Sequence, residues 1–212
     1  HFLEHMLFEG TKKYPTAKEL AQIIESIGGK SGAWTDKEYI TYNVKVPKEY
    51  LEKGLHYLSE VLFNPGLDKE SVEREKNIIL EEIQRKEDNP EVEIWDLFME
   101  YCWGTRQTLG RSTLGRKNTI QNITPKQLKD YLGDFYYPGN MTISVVGNFN
   151  SEEVGKYINR YFGGRIIKKK KNMIKNIFSQ PKVKVKKLQA DTQQSQLIMG
   201  AVTGVDYHHP DR

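Results

Sequence analysis

Two histidines stand four residues apart at positions 1 and 5, with Glu4 just before the second. A helix brings positions i and i+4 onto one face, one turn apart. A strand would spread the same two side chains over about 13 Å. Phe2, Leu3, Met6, Leu7 and Phe8 make one side of this segment apolar. The opening residues are therefore expected as a short helix with a packed side and an imidazole-bearing side.

His1, Glu4 and His5 spell H-x-x-E-H, the inverted form of the helical zinc-peptidase motif. Imidazole nitrogens bind zinc at about 2.0–2.1 Å, and catalytic sites usually add a third protein ligand and keep one position open. Glu4 can approach that open position, take a proton from water there and return it to a leaving amine. Three residues alone are a weak signal, so a third ligand is needed. A candidate lies in the stretch from Asp68, D-K-E-S-V-E-R-E-K-N-I-I-L-E-E-I-Q-R-K-E. It reads as a long helix capped by Asp68, with Val72, Ile78, Ile79 and Ile83 as apolar positions. Glu75 and Glu82 are two turns apart on roughly one face. Glu70, Arg74, Lys76, Arg85 and Lys86 suit a solvated surface. The pattern does not choose between Glu81 and Glu82.

The run H-F-L-E-H-M-L-F-E-G-T from His1 resembles the start of the catalytic half of the insulinase/pitrilysin (M16) metallopeptidases, which include the mitochondrial processing peptidases. That family places its third zinc ligand at a fixed distance after the second histidine, in an E-R-E-x-x-x-I-x-x-E helix. The count lands on Glu82, in the run that starts at Glu73. Glu75 matches a second family glutamate that supports the site without binding metal. In that position it can accept a hydrogen bond from a ligand histidine and fix its orientation. I-G-G-K-S-G-A-W-T-D-K-E from Ile27 resembles the family's active-site strand. Gly104 to Gly115, T-P-K-Q-L-K-D-Y from Thr124 and F-Y-Y-P-G-N-M-T-I-S-V-V-G-N-F from Phe135 continue the likeness over nearly the whole chain. Gly32 departs, since many members carry asparagine there.

The resemblance implies an α+β, M16 metallopeptidase-like (LuxS/MPP-like) fold, with a mixed, mostly antiparallel sheet packed against helices. It implies one Zn2+ per catalytic chain, held by His1, His5 and Glu82, with Glu4 as general base and Glu75 as support. The expected activity is zinc-dependent endopeptidase cleavage of peptides or unfolded polypeptide segments. Gly32, Ala33 and Trp34 would contact substrate, the extended segment Lys30–Thr35 holding a peptide as an added strand. Family members are about twice this long. A further C-terminal half or a partner subunit is thus expected to close a chamber, and a homodimer is possible. The family also has inactive partners, so a non-catalytic interaction subunit is the alternative. A metal enzyme acting on something other than peptides is the second rival.

Local signals order the rest. Thr16 and Glu19 form a capping box, Leu20, Ile23, Ile24 and Ile27 give an apolar face, and Gly28-Gly29 ends the helix. Asp36-Lys37 reads as a turn and Tyr39 onward as a strand. Residues 48–63 read as an amphipathic helix broken by Pro65-Gly66. Asn89-Pro90 reads as a turn, 91–102 as helical, and 104–123 as a long ordered loop. Thr124-Pro125 opens another helix with Gln127 at its third position. Met141–Val146 reads as a buried strand, and Ser151 as the cap of a helix to Phe162. Lys168 begins a run of four lysines, K-V-K-V-K-K after Pro181 reads as an edge strand, and 194–200 as the next strand. The expected organisation is a catalytic unit over 1–165 lacking its start, a basic loop at 166–181, and the beginning of a further β region at 182–212. There is no internal repeat.

Trp34 and Trp103 are candidates for the cleft or for the core. Arg111 and Arg116 flank a glycine-containing loop, and His56, His208 and His209 lack partners at ligand spacing. The net charge of +4 is mild, and lysine clusters without interleaved aromatics argue against nucleic acid. One cysteine, Cys102, rules out an internal disulfide framework and fits a reducing compartment. With no transmembrane run, no membrane role and a cytoplasmic, bacterial setting are expected, a targeting segment ahead of His1 remaining compatible.

Overall fold

A computed structural model describes residues 1–164, 185–189, 193–201, 203 and 205. Helix α1 (Phe2–Phe8) splits as its period requires: Phe2, Leu3, Met6 and Leu7 are buried, while His1, Glu4 and His5 lie on the other side. Helix α2 (Ala17–Glu25) starts at the Thr16/Glu19 capping box and buries Leu20 and Ile24. Gly28 then takes φ +71, and a Cβ on Gly29 would lie 2.9 Å from the Lys45 carbonyl, so both positions require glycine. Strands β1 (Lys30–Thr35) and β2 (Ile40–Lys45) pair antiparallel, Ala33 facing Tyr42 and Thr35 facing Ile40.

After a 3-10 turn at Lys48–Tyr50 come α3 (Leu51–Phe63) and α4 (Lys69–Glu87). Asp68 caps α4, accepting from the Ser71 amide at 2.9 Å, and these amides hold its carboxyl below the usual range. Helix α5 (Pro90–Trp103) begins after Asn89 and ends where Gly104 takes φ +73. A short helix, α6 (Lys117–Gln121), interrupts the stretch expected to be loop. It exists because Ile120 is buried in the main core and the helix packs against α4. Helix α7 (Pro125–Phe135) carries the Thr124/Gln127 capping box. Helix α8 (Ser151–Phe162) is capped by Asn150 rather than Ser151, its side-chain oxygen accepting from Glu152 and Glu153 amides.

One core joins these elements. Met6, Leu7, Ile24, Val61, Val72 and Ile79 are its most buried members, and Ile120 and Leu128 extend it to α6 and α7. Leu55 and Leu62 of α3 meet Phe162 of α8 in a second cluster. The result is mixed helix with a small antiparallel sheet.

Three strand expectations differ from the structure. Met141–Val146 forms no strand, and Val146 is 95% exposed. Residues 195–200 form none either, with Leu197 and Met199 exposed. Of the lysine-rich run after Pro181, residues 185–187 are described and are not in a strand. The physical reason is shared: alternation becomes a strand only against a neighbouring ladder. Among the described residues only β1 and β2 supply one. The four lysines from Lys168, the 166–181 segment, and His208 and His209 lie outside the described residues.

Candidate metal centre

Helices α1 and α4 pack against each other and build the centre between them. Glu82 Oε2 lies 3.6 Å from His1 Nε2 and 3.6 Å from His5 Nε2. The three donor atoms all fall within 4.8 Å of one another. Tetrahedral bonds of 2.0–2.2 Å would set neighbouring donors about 3.4 Å apart, so this His-His-Glu set fits a zinc ion. Glu81 points elsewhere, to Arg85 at 3.3 Å on the exposed side.

Glu75 is a buried carboxylate on the core-facing stripe of α4. Its Oε2 lies 3.0 Å from His5 Nδ1. Burial pushes the Glu75 carboxyl up, and the bond to His5 opposes that shift. With the proton on Nδ1, His5 donates to Glu75 and turns the Nε2 lone pair toward Glu82. His1 Nδ1 is buried without a partner among the described residues.

Glu4 lies on the same side of α1, and Thr35 Oγ1 donates to its Oε2 at 2.5 Å. Strand β1 therefore runs beside the metal centre. Its pairing with β2 occupies one edge, and no described strand covers the other. Ser31 bonds Tyr57 of α3 at 3.0 Å and ties the strand to the core. A Cβ on Gly32 would meet nothing nearer than Asn43 Nδ2 at 3.7 Å, so glycine there is not a steric requirement. Ala33 is half-buried, and Trp34 is 50% exposed. Tyr42, paired with Ala33, meets Tyr136 hydroxyl to hydroxyl at 2.7 Å. Burial raises both phenols well above the ordinary value, so both stay neutral. A cavity of about 580 Å³ adjoins His1, with Ile40, Leu128 and Tyr131 in its walls.

Lys86, expected on a solvated surface, instead lies at the centre of a second charged cluster. Lys86, one turn after Glu82, has a side chain only 14% exposed. Its Nζ reaches Asp96 of α5 at 2.6 Å, Ser112 at 3.2 Å and Glu93 at 3.3 Å. Lys37, at the hairpin tip, lies 3.7 Å from the other oxygen of Asp96 and donates to the Arg111 carbonyl. Burial would lower the Lys86 ammonium, but Asp96 and Glu93 outweigh it and hold it raised. Burial would raise Asp96, but its bonds to Lys86 and Ser112 and the nearby lysine charges hold it low.

The remaining candidates stand apart from the centre. Arg111 donates to the Thr105 and Arg106 carbonyls of its own loop, and Arg116 is exposed, 3.8 Å from Glu100. His56 packs edge-on against Tyr161. Trp103 closes α5, and burial pushes the Cys102 thiol up. The Thr35–Glu4 bond and the Lys86–Asp96 pair each join two separate elements, so neither gives a spacing signal in the sequence.

Residues 1–117 match the family model described as insulinase (peptidase family M16). The chain belongs to that family. Residues 122–212 match a second model, the M16 peptidase inactive domain. The break between the two matches falls within α6, although Ile120 of that helix and Leu128 of α7 share one core with the residues before it. The chain is 34% identical over 201 residues to the uncharacterized zinc protease YmxG of Bacillus subtilis, covering 94% of this chain and 48% of the relative. It is 34% identical to the mitochondrial-processing peptidase beta subunit of Dictyostelium discoideum, over 76% of this chain and 34% of that protein. A protease from Helicobacter pylori superimposes with a TM-score of 0.75 at 26% identity, over 84% of this chain and 43% of the other. Pitrilysin gives 0.71 at 26% identity, over 84% and 20%. The M16 chain thus spans about half or less of the length of these relatives. No helix among the described residues is long and apolar enough to cross a membrane.

Proposed function

We propose that this chain is the catalytic part of a zinc-dependent endopeptidase that hydrolyses peptides or unfolded polypeptide segments. The observation that carries the reading is the convergence of His1, His5 and Glu82 donor atoms beside Glu4 and a β1 edge that no described strand covers. Zinc at this centre would supply Lewis-acid polarisation and an acidified water. Every other task falls to the chain.

The outer edge of β1 holds a substrate backbone as an added strand, with Gly32, Ala33 and Trp34 along it. Main-chain pairing of this kind tolerates many sequences. Glu4 receives the proton of the attacking water on Oε1, the oxygen that Thr35 does not occupy. It then passes that proton to the departing amide nitrogen as the peptide bond breaks. Glu75 holds His5 in the tautomer that keeps Nε2 free for metal. Residues 1–165 form the catalytic unit in this reading, since packing continues to Phe162. A further half or a partner subunit completes the enclosure around the substrate.

The test uses the full-length protein, its bound zinc, and a quenched-fluorescent peptide library. Glu4→Gln keeps the shape and removes the base. We expect about one zinc per chain in both forms and a loss of at least about 100-fold in rate for the variant. Cleavage that survives Glu4→Gln overturns the assigned base. Zinc-loaded wild-type protein that cleaves no peptide points to the non-catalytic partner instead.

A further inference from the structure

Glu4 does not stand alone. A glutamate on the surface of a seven-residue helix has three side-chain torsions free to turn, and a base that wanders is a poor base. The Thr35 hydroxyl meets it at 2.5 Å from 31 residues away in sequence. The hydroxyl is the donor and the carboxylate oxygen the acceptor.

Thr35 is suited to hold a partner still. It is β-branched and so restricted at its first torsion. It is the last residue of β1 and pairs with Ile40. Just beyond it, the Asp36 amide donates to the Tyr39 carbonyl at 2.8 Å and closes the turn. One residue further, Lys37 is fixed to the Arg111 carbonyl and faces Asp96. At the other end of the strand, Ser31 is bonded to Tyr57. The hydroxyl is therefore carried by a backbone anchored on both sides.

We propose that Thr35 is the positioning residue for the general base: its hydroxyl fixes Glu4 Oε2 so that Oε1 faces the reacting water. This rests on the reading of Glu4 as base. The proton moves from water to Oε1 and from Oε1 to the leaving nitrogen. The Thr35 O–H stays a donor to Oε2 throughout and undergoes no net change. The same strand whose edge aligns the peptide thus aligns the base, so substrate and base share one frame.

The experiment compares Thr35→Val, Thr35→Ala, Thr35→Ser and Glu4→Gln in the full-length, zinc-loaded protein. Both substitutions that remove the hydroxyl should lower kcat by about 10–100-fold with KM within about twofold. Thr35→Ser should restore most of the rate. Zinc affinity, read by chelator competition, should not move, and crystals of the Val variant should show Glu4 in a changed rotamer. A wild-type kcat in both Val and Ala variants overturns the proposal. So does an equal loss in the Ser variant, or an effect on KM alone, which would mark a substrate contact. Glu4→Gln separates the two ideas. If it stays active, the base assignment itself fails. If it is inactive while the Val and Ala variants run at full rate, only the role of Thr35 fails.

Discussion

At the scale of single residues, the centre depends on orienting groups as much as on donors. Glu75 illustrates this. It occupies a place on α4 that the core would give to an apolar residue, and burial opposes its charge. Its bond to His5 compensates by fixing the ring. Glu75→Gln should weaken zinc binding about 10–100-fold, with kcat recovering when zinc is supplied in excess. Chelator competition and rates across a zinc titration check this; unchanged affinity would remove Glu75 from the site. Much of the centre was legible because H-x-x-E-H is local. The choice of Glu82 over Glu81 was not, and came from family likeness. The structure supplies the physical difference: one residue of helix rotates Glu81 out to Arg85. Family likeness places Thr35 at the end of the active-site strand, but its bond to Glu4 is not legible, since a hydroxyl gives no spacing signal toward a carboxylate on another element.

At the scale of elements, helix ends were read well because caps are short-range chemistry. Thr16, Asp68 and Thr124 cap as expected, their side chains accepting from helix amides, whereas Asn89, expected in a turn, caps α5 and Asn150 takes the place expected for Ser151. Strands at 141–146 and 194–200 were misread because alternation says nothing about where a pairing neighbour lies. Lys86 was misread for a similar reason: a lysine on a charged helix looks solvated until α5 lays Asp96 against it. This clasp joins the Glu82 helix to the tip of the β1–β2 hairpin, and its stability should depend on pH at both ends. Asp96 is depressed when folded, so its contribution is present above the unfolded value of about 3.9 and fades as pH falls through the folded pKa. Lys86 is raised when folded, so its contribution is complete below about 10.4 and fades as pH rises through the folded pKa. Asp96→Asn should cost about 1–3 kcal/mol near pH 7 and flatten the acid limb of the stability profile. Urea unfolding from pH 2 to 7 measures both; an unaltered acid limb would contradict the clasp.

At the scale of the whole molecule, two helices far apart in sequence meet through one core and present a donor from each side. The order of helical and alternating segments fits an α/β or α+β sandwich, the family likeness narrows it to α+β, and the small extent of the described sheet follows from neither. The chain spans about half or less of the length of its matched relatives. In the proposed reading the chain contributes a cross-link, His1 and His5 at α1 with Glu82 on α4, set against Glu4 and a strand. The central claim is that this cross-link is a zinc site. Crystals of the zinc-loaded full-length protein, measured on both sides of the zinc absorption edge, test it most directly. The account predicts one anomalous peak about 2.0–2.2 Å from both Nε2 atoms and a Glu82 oxygen, absent in a His5→Ala variant. A zinc peak elsewhere, or none at these residues with zinc in excess, would contradict it.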